Sequence, residues 1–411
     1  MNWDQSFSVA ARSVEASEIR ELLKLLSDPE ILSFAGGIPD PDLFPVEAAK
    51  ALLTGPEIED AHFREIMQYS QSEGYAPLRD WIAEAVSTSR LGVRRDNVLV
   101  TNGAQQSLSL LAEALIDPGD AVAVADPTYL GALQVFRGKR ARFVTVDTDA
   151  QGLCVDALEK AFRKGVKFLY TMPDFQNPGG VTIPEDRRRQ IVELAHVHRV
   201  PVIEDTAYRA LYYDTPPPPS LLEVEGQFLR PGQWRDAGRV IQIGTFSKTL
   251  MPALRVGWSI SPNALLQKVV QLKQAQDLHS STFNQAMAWG LAKEVLKDHE
   301  GLLRRTYRAR RDAMVEVLTR HLPNCARFTA PGGGMFVWIT LPAGMDARKL
   351  LDTALHREKL AFVPGHAFHA NGGGQNTMRL SFVGYAPEII EDGVRRLSAL
   401  IAQEHLNRAE R

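Results

Sequence analysis

The sequence predicts an α/β protein: a mostly parallel sheet of about seven strands, joined to a smaller α+β lobe. Three observations predict it. From about residue 97, short β-rich runs alternate with helical patterns, the order that lays helices against a parallel sheet. Several of these runs are apolar without interruption, as strands covered on both faces must be. After about residue 305 the alternation gives way to a mixed pattern.

The elements follow in order. Ser17–Leu26 has the spacing of an amphipathic helix, and residues 1–45 are expected to pack with the C-terminal lobe and the active site. Residues 46–305 form the expected large domain. Its strand candidates are Val98–Thr101, Ala121–Val124, Arg142–Val146, Lys167–Tyr170, Val200–Ile203, Val240–Ile243 and Val256–Ile260. Gln105–Ile116 and Pro184–Arg199 read as helices, the second with proline in the first turn, where its missing N–H costs nothing. Pro216–Pro219 reads as an extended surface loop. Residues 306–411 form the expected small domain, with strands Phe336–Ile339, Leu360–Val363 and Met378–Phe382 and helices near 346–357 and 387–403.

Composition narrows the function. Hydrophobic content of 45% with charged content of 23% is ordinary for a globular chain of 411 residues. A net charge of −2 gives no global attraction for nucleic acid or an anionic membrane. The basic run Arg304–Arg311 is followed on the same segment by Asp312 and Glu316, which makes it a solvated or dimer-contacting face. Only two cysteines occur, Cys154 and Cys325. They support neither a disulfide scaffold nor a zinc cluster, so no metal is expected and a reducing, cytoplasmic setting is. The first residues lack the basic and apolar regions of a secretion signal, and no run of about 18 apolar residues occurs. Neither a dinucleotide-binding glycine fingerprint nor a hydrolase Gly-x-Ser-x-Gly elbow is found, against a dehydrogenase or a serine hydrolase.

The chemistry concentrates in Gly244–Trp258, where Lys248 lies close to Thr245, Ser247 and Arg255. A lysine amine condenses with aldehydes, while hydroxyls and a guanidinium suit a phosphate monoester. Pyridoxal phosphate presents both groups. The other strand ends supply its remaining needs at the carboxyl edge of the sheet, where open α/β folds bind ligands. Gly103, Ala104 and Gln105 open a helix whose free amides face an anion. Tyr129 brings a ring able to stack on a flat cofactor. Asn177 sits in a loop locked by proline and glycine, suited to a fixed hydrogen bond to a phenolic oxygen. Asp205 ends an apolar strand where a carboxylate would pair with a ring N–H⁺, and Tyr208 would share the phenolic oxygen with Asn177.

Taken together, Asn177-Pro178, Asp205 with Tyr208, and Ser247-Lys248 with Arg255 resemble the fold type I pyridoxal-phosphate enzymes of the class I/II aminotransferase family. The resemblance covers essentially the whole chain. Tyr69–Arg79 looks like the family segment whose tyrosine reaches the phosphate in the neighbouring subunit, which implies a homodimer with shared sites and a role for Tyr69. Asn376–Ser381 looks like the strand whose arginine grips the substrate α-carboxylate; that assigns Arg379, supported by Asn177 and the backbone at Gly37.

Within the family, Ala16–Lys24, Leu32–Pro39, Asp277–His279, Phe362–Gly365 and Asn371–Gly374 are similar to the α-aminoadipate aminotransferase branch, which includes kynurenine and broad-range enzymes. The branch implies Lys248, Asp205 and Tyr208 as catalytic groups. It also implies ping-pong transfer from 2-aminoadipate, leucine or an aromatic amino acid to 2-oxoglutarate. Ser17 and Arg20 would meet the donor side chain, with Arg20 placed for a second carboxylate. Two alternatives stay open: a lyase or decarboxylase working on the same lysine-bound cofactor, and a DNA-binding regulator fused to an aminotransferase-like domain. The regulator would need about 70–100 further N-terminal residues, whereas the likeness to the enzyme starts within the first 20.

Overall fold

A computed structural model describes residues 3–12, 30–54 and 60–409 of the chain. Seven strands build one sheet, in the order Val98–Thr101, Gly257–Ile260, Val240–Thr245, Val202–Asp205, Leu169–Thr171, Ala121–Ala125, Arg142–Val146. All run parallel except Gly257–Ile260, which is antiparallel to both neighbours. This differs from the expectation in one useful respect. The start of that strand, not its end, lies at the ligand-binding edge, and this puts Arg255 there.

Side-chain alternation explains why the apolar runs became strands buried on both sides. Leu99, Val122, Val124, Tyr170, Ile203, Ile241 and Ile243 enter one core. Their chain neighbours Val98, Val100, Ala121, Ala123, Leu169, Val202 and Val240 enter the other. Each buried Val, Leu or Ile side chain contributes about 1.5–3 kcal/mol, so the sheet is a firm platform for the turns at its edge. Helices Ala104–Leu115 and Glu185–His198 match the expected ones closely. Pro184 stands at the cap of the second, one place before its first turn, and Arg199 ends it in the left-handed region.

The C-terminal part holds a four-stranded antiparallel sheet of Arg327–Phe328, Phe336–Thr340, Thr377–Ser381 and Val363–Pro364. The single strand expected at Leu360–Val363 is in fact two. Leu360–Ala361 pairs in parallel with Leu32–Ser33, whereas Val363 pairs with Arg379. An N-terminal partner captures the first half: Leu32 and Phe34 donate amides to the carbonyls of Lys359 and Ala361, both at 2.8 Å. The expected helix at 346–357 is an α-helical turn, Ala347–Thr353, running into a π-helical one, Ala354–Glu358. The last helix is Pro387–Ala409. The helix expected at Ser17–Leu26 lies outside the described residues.

Helix Leu296–His321 runs unbroken through residue 305, where the sequence pattern changes. Its basic run is only in part the solvated or dimer-contacting face expected: Arg305 and Arg308 are exposed, whereas Arg304, Arg310 and Arg311 turn inward. Arg310 pairs with Asp40 at 2.6 Å, Arg311 reaches Asp214 at 3.0 Å and the Pro331 carbonyl at 2.6 Å, and Arg304 lies 4.6 Å over the Tyr212 ring. Distant parts of the chain, at 40, 212–214 and 331, thus take up the charge of Arg304, Arg310 and Arg311.

Candidate active site

Lys248 lies in the turn after strand Val240–Thr245. Thr245 shapes that turn, its hydroxyl accepting the Ser247 amide at 3.1 Å and meeting the Ser247 hydroxyl at 3.0 Å. The Lys248 ammonium donates to the Gly37 carbonyl at 3.1 Å. Burial, with Arg379 and Arg255 nearby, lowers its pKa from the usual lysine range to about 8, against the opposing pull of Asp205. An amine held there is readily freed of its proton.

Asp205 closes the next strand, 2% exposed. Its carboxylate accepts from the Tyr170 hydroxyl at 2.9 Å and from the Ala207 amide at 3.1 Å. Burial dominates nonetheless and pushes its pKa up to about 6. Tyr170 was not anticipated. The signal available was a hydroxyl in an otherwise apolar strand, one pleat from its end.

Arg379, on the small sheet, is 3% exposed and among the described residues meets only neutral acceptors: Asn177 Oδ1 at 2.8 Å and the Ala35 carbonyl at 2.9 Å. Its guanidinium lies 4.0 Å from the Phe336 ring centre and 5.0 Å from that of Phe368. Its Nε is buried with no partner. Burial brings its pKa down to about 10. A desolvated cation with no carboxylate of its own is a receptor for one. The Asn177 amide, turned the other way, stands 3.5 Å from the Tyr208 hydroxyl, and burial raises the pKa of that hydroxyl. Tyr129 also belongs to this group. Its hydroxyl pKa is raised, first by burial and then by Asp205, with Arg379 and Arg255 opposing.

Beside these groups, helix Ala104–Leu115 begins without a side-chain cap. Gly103, at φ 79°, is its N-cap. The Gly103 amide donates to the Thr101 carbonyl at 2.8 Å, which leaves the amides of Ala104 and Gln105 at the helix start for a ligand. Glycine is needed at 103 for space as well as for φ, because a Cβ there would lie 2.6 Å from Arg255 Nη2. Arg255 hydrogen-bonds the Asn102 carbonyl at 3.2 Å and stays exposed. A helix start, two hydroxyls and a guanidinium thus share one edge, as a phosphate monoester requires.

A family model, aminotransferase class I and II, matches residues 30–397. The chain belongs to that family. It is an aminotransferase, and pyridoxal phosphate is its cofactor. It is 43% identical over 403 residues to a 2-aminoadipate transaminase of Thermus thermophilus, covering 97% of this chain and 96% of the relative. An aromatic-amino-acid aminotransferase of Thermococcus litoralis is 38% identical, over 98% of this chain and 96% of its own. Among solved structures, the α-aminoadipate aminotransferase LysN of Thermus thermophilus, complexed with N-(5'-phosphopyridoxyl)-L-leucine, superposes with a TM-score of 0.87 at 41% identity. The match covers 98% of this chain and 99% of that one.

The residues of this aminotransferase fit the cofactor on their own terms. Among the described residues the carboxylate of Asp205 is buried with hydrogen bonds from Tyr170 and Ala207 but no ion pair, the helix start is uncapped, and Gly103 leaves room beneath Arg255. Tyr69 stands apart: it is 79% exposed, its ring edge-on to His279 at 5.8 Å. His279 follows Leu278, which is held at φ 62°, ψ −63° with the His279 amide bonded to the Asp277 carbonyl at 2.7 Å. Ser17 and Arg20 lie outside the described residues.

Proposed function

We propose that the enzyme moves the amino group of 2-aminoadipate, and also of leucine and aromatic amino acids, to 2-oxoglutarate in a ping-pong cycle. It would work in the cytoplasm as a homodimer with shared sites, Tyr69 of each copy completing the phosphate pocket of the other. Residues 1–45, 46–305 and 306–411 are taken as its N-terminal segment, large domain and small domain. The observation that carries the reading is Arg379. Among the described residues this buried cation meets only neutral oxygens and two aromatic rings, and it is close enough to Lys248 to lower its pKa. The substrate range follows the names of the relatives, a 2-aminoadipate transaminase and an aromatic-amino-acid aminotransferase.

Pyridoxal phosphate, when bound, supplies an aldehyde for amine exchange and a ring that accepts the electron pair left behind by the α-proton. The chain does the rest. Arg379 orients the substrate through its α-carboxylate. Lys248 Nζ would take the proton from the substrate α-carbon and deliver it to the former aldehyde carbon on the other side of the amino nitrogen, a role that requires the neutral amine its lowered pKa favours. Asp205 would keep the ring nitrogen protonated, and that cation would in turn offset the cost of the buried carboxylate. Tyr208 and Asn177 would donate to the phenolic oxygen, and Tyr129 would stack on the ring. Thr245, Ser247, Arg255 and the helix-start amides would hold the phosphate.

Lys248→Ala should lower turnover by at least about 1,000-fold, the scale of a lost general base; turnover near wild type contradicts the assignment. For the substrate, donors should be compared with 2-oxoglutarate as acceptor in wild type and Arg20→Ala. Loss confined to 2-aminoadipate supports Arg20 as the clamp on the second carboxylate. Equal rates across acidic and apolar donors contradict it.

A further inference from the structure

The loop carrying Asn177 is braced by a buried ion cluster that none of the roles above uses. Arg188 is completely buried. Its Nε donates to the Ile183 carbonyl at 2.8 Å, and its Nη2 to the Pro173 carbonyl at 3.1 Å and to Asp174 Oδ1 at 2.5 Å. One guanidinium therefore grips both ends of the loop 173–183. Its Nη1 reaches the Pro219 carbonyl at 3.1 Å. Asp174, 1% exposed, offers its second oxygen to Arg209 Nη1 at 3.0 Å. Arg209 is the residue after Tyr208, and it also holds the Pro218 carbonyl at 2.8 Å and Glu223 at 3.1 Å.

We infer that Asp174, held by Arg188 and joined to Arg209, is the positioning residue that sets the Asn177 amide against the Tyr208 hydroxyl. The inference rests on the reading that this pair donates to the phenolic oxygen of the cofactor. Three observations carry it. The direct Asn177–Tyr208 contact, at 3.5 Å, is too long to fix the two groups by itself. Asp174 is itself on the Asn177 loop, and its carboxylate ties that loop to two neighbours: one oxygen to Arg188 on helix Glu185–His198, the other to Arg209 beside Tyr208. Buried ion clusters are a costly way to gain stability, and apolar groups of equal volume often serve as well, so this one is better explained by the geometry it imposes. The loop is also under backbone strain. Phe175 holds φ 49°, a region side chains avoid, and is wedged under Gly334, where a Cβ would lie 2.8 Å from its own.

The test uses Arg209, whose side chain is 27% exposed and so tolerates replacement better than the fully buried Asp174. The visible absorbance of the loaded enzyme is titrated against pH for wild type, Tyr208→Phe, Arg209→Gln and Arg209→Lys. Donors to the phenolic oxygen withdraw charge that would otherwise hold a proton on the neighbouring nitrogen, so losing them raises the apparent pKa. Tyr208→Phe should raise it by about one unit and Arg209→Gln by about half a unit. Arg209→Lys, which keeps a cation within reach of Asp174, should stay near wild type. Hydrogen exchange of the full chain, with and without cofactor, should show the amides of Phe175, Gln176 and Gly180 less protected in Arg209→Gln. If Tyr208→Phe shifts the pKa while Arg209→Gln leaves it unmoved, the strut is overturned and the reading of the pair stands, whatever the exchange shows. If Tyr208→Phe also leaves the pKa unmoved, the reading of the pair falls and the positioning role falls with it.

Discussion

Two arginines stand at opposite ends of the site, and their settings differ sharply. Arg379 is buried, flanked by Phe336 and Phe368, and hydrogen-bonded to an amide oxygen and a carbonyl oxygen. Arg255 is exposed at the tip of a turn, over a glycine that makes room for it. The first has already lost its water, so a carboxylate arriving there meets a cation with no hydration to strip away. The second must still be dehydrated by its phosphate and is screened by salt. On the roles proposed for them, water has been removed in advance where the substrate would be recognised, but not where the cofactor phosphate would be anchored.

That contrast sets a ranking of effects. The largest belongs to Arg379. Arg379→Lys keeps the charge but not the paired donors, and should lower kcat/KM for every α-amino acid by about 30- to 1,000-fold, the equivalent of about 2–4 kcal/mol. A change under threefold would break the comparison. Next come the phosphate groups: Arg255→Ala should weaken cofactor binding by about 10- to 150-fold, and Ser247→Ala by about 2- to 10-fold, as charge-assisted and neutral hydrogen bonds differ. Measuring both at low and high salt sharpens the point. The Arg255 effect should shrink with salt, whereas the Arg379 effect should hardly change.

The smallest effect concerns stability without cofactor. The folded pKa of Asp205 lies above its unfolded value, at about 6. Its stabilising contribution is therefore complete only below the ordinary carboxyl pKa and is lost as pH rises through about 6. At pH 7.5 the cofactor-free protein carries a buried charge at a cost. Asp205→Asn should make that form more stable by about 1–2 kcal/mol, while weakening cofactor binding. Chemical denaturation in which the variant is less stable at pH 7.5 would contradict this account of the pocket.

The parts legible in the sequence were those written in local chemistry. Apolar runs gave the sheet strands to within about two residues, because alternate residues enter two cores. Lys248, Asp205 and Asn177 were legible because each stands at a strand end or in a glycine-bearing turn, where side-chain type and backbone position coincide; Arg379, in the middle of strand Thr377–Ser381, was legible only through the family resemblance. The groups that hold them were not. Tyr170 meets Asp205 across adjacent strands, Arg188 reaches Asp174 from helix Glu185–His198, and Arg311 finds Asp214 from 97 residues away. Such partners depend on the register between distant segments, which no local pattern encodes. The division of Leu360–Val363 between two sheets has the same cause, since the competing partner is Leu32–Ser33.

The central claim is that one amine, poised by burial beside Arg379 and Arg255, carries the cofactor. Reducing the loaded enzyme with borohydride and mapping its peptides by mass spectrometry tests this directly. The phosphopyridoxyl group should appear at one residue, Lys248, and incubating the cofactor-free protein with pyridoxal phosphate should load it at a rate that rises with pH through about 8, the lowered pKa of that amine. A label on any other lysine, or a loading rate that rises only near the ordinary lysine pKa, would contradict it.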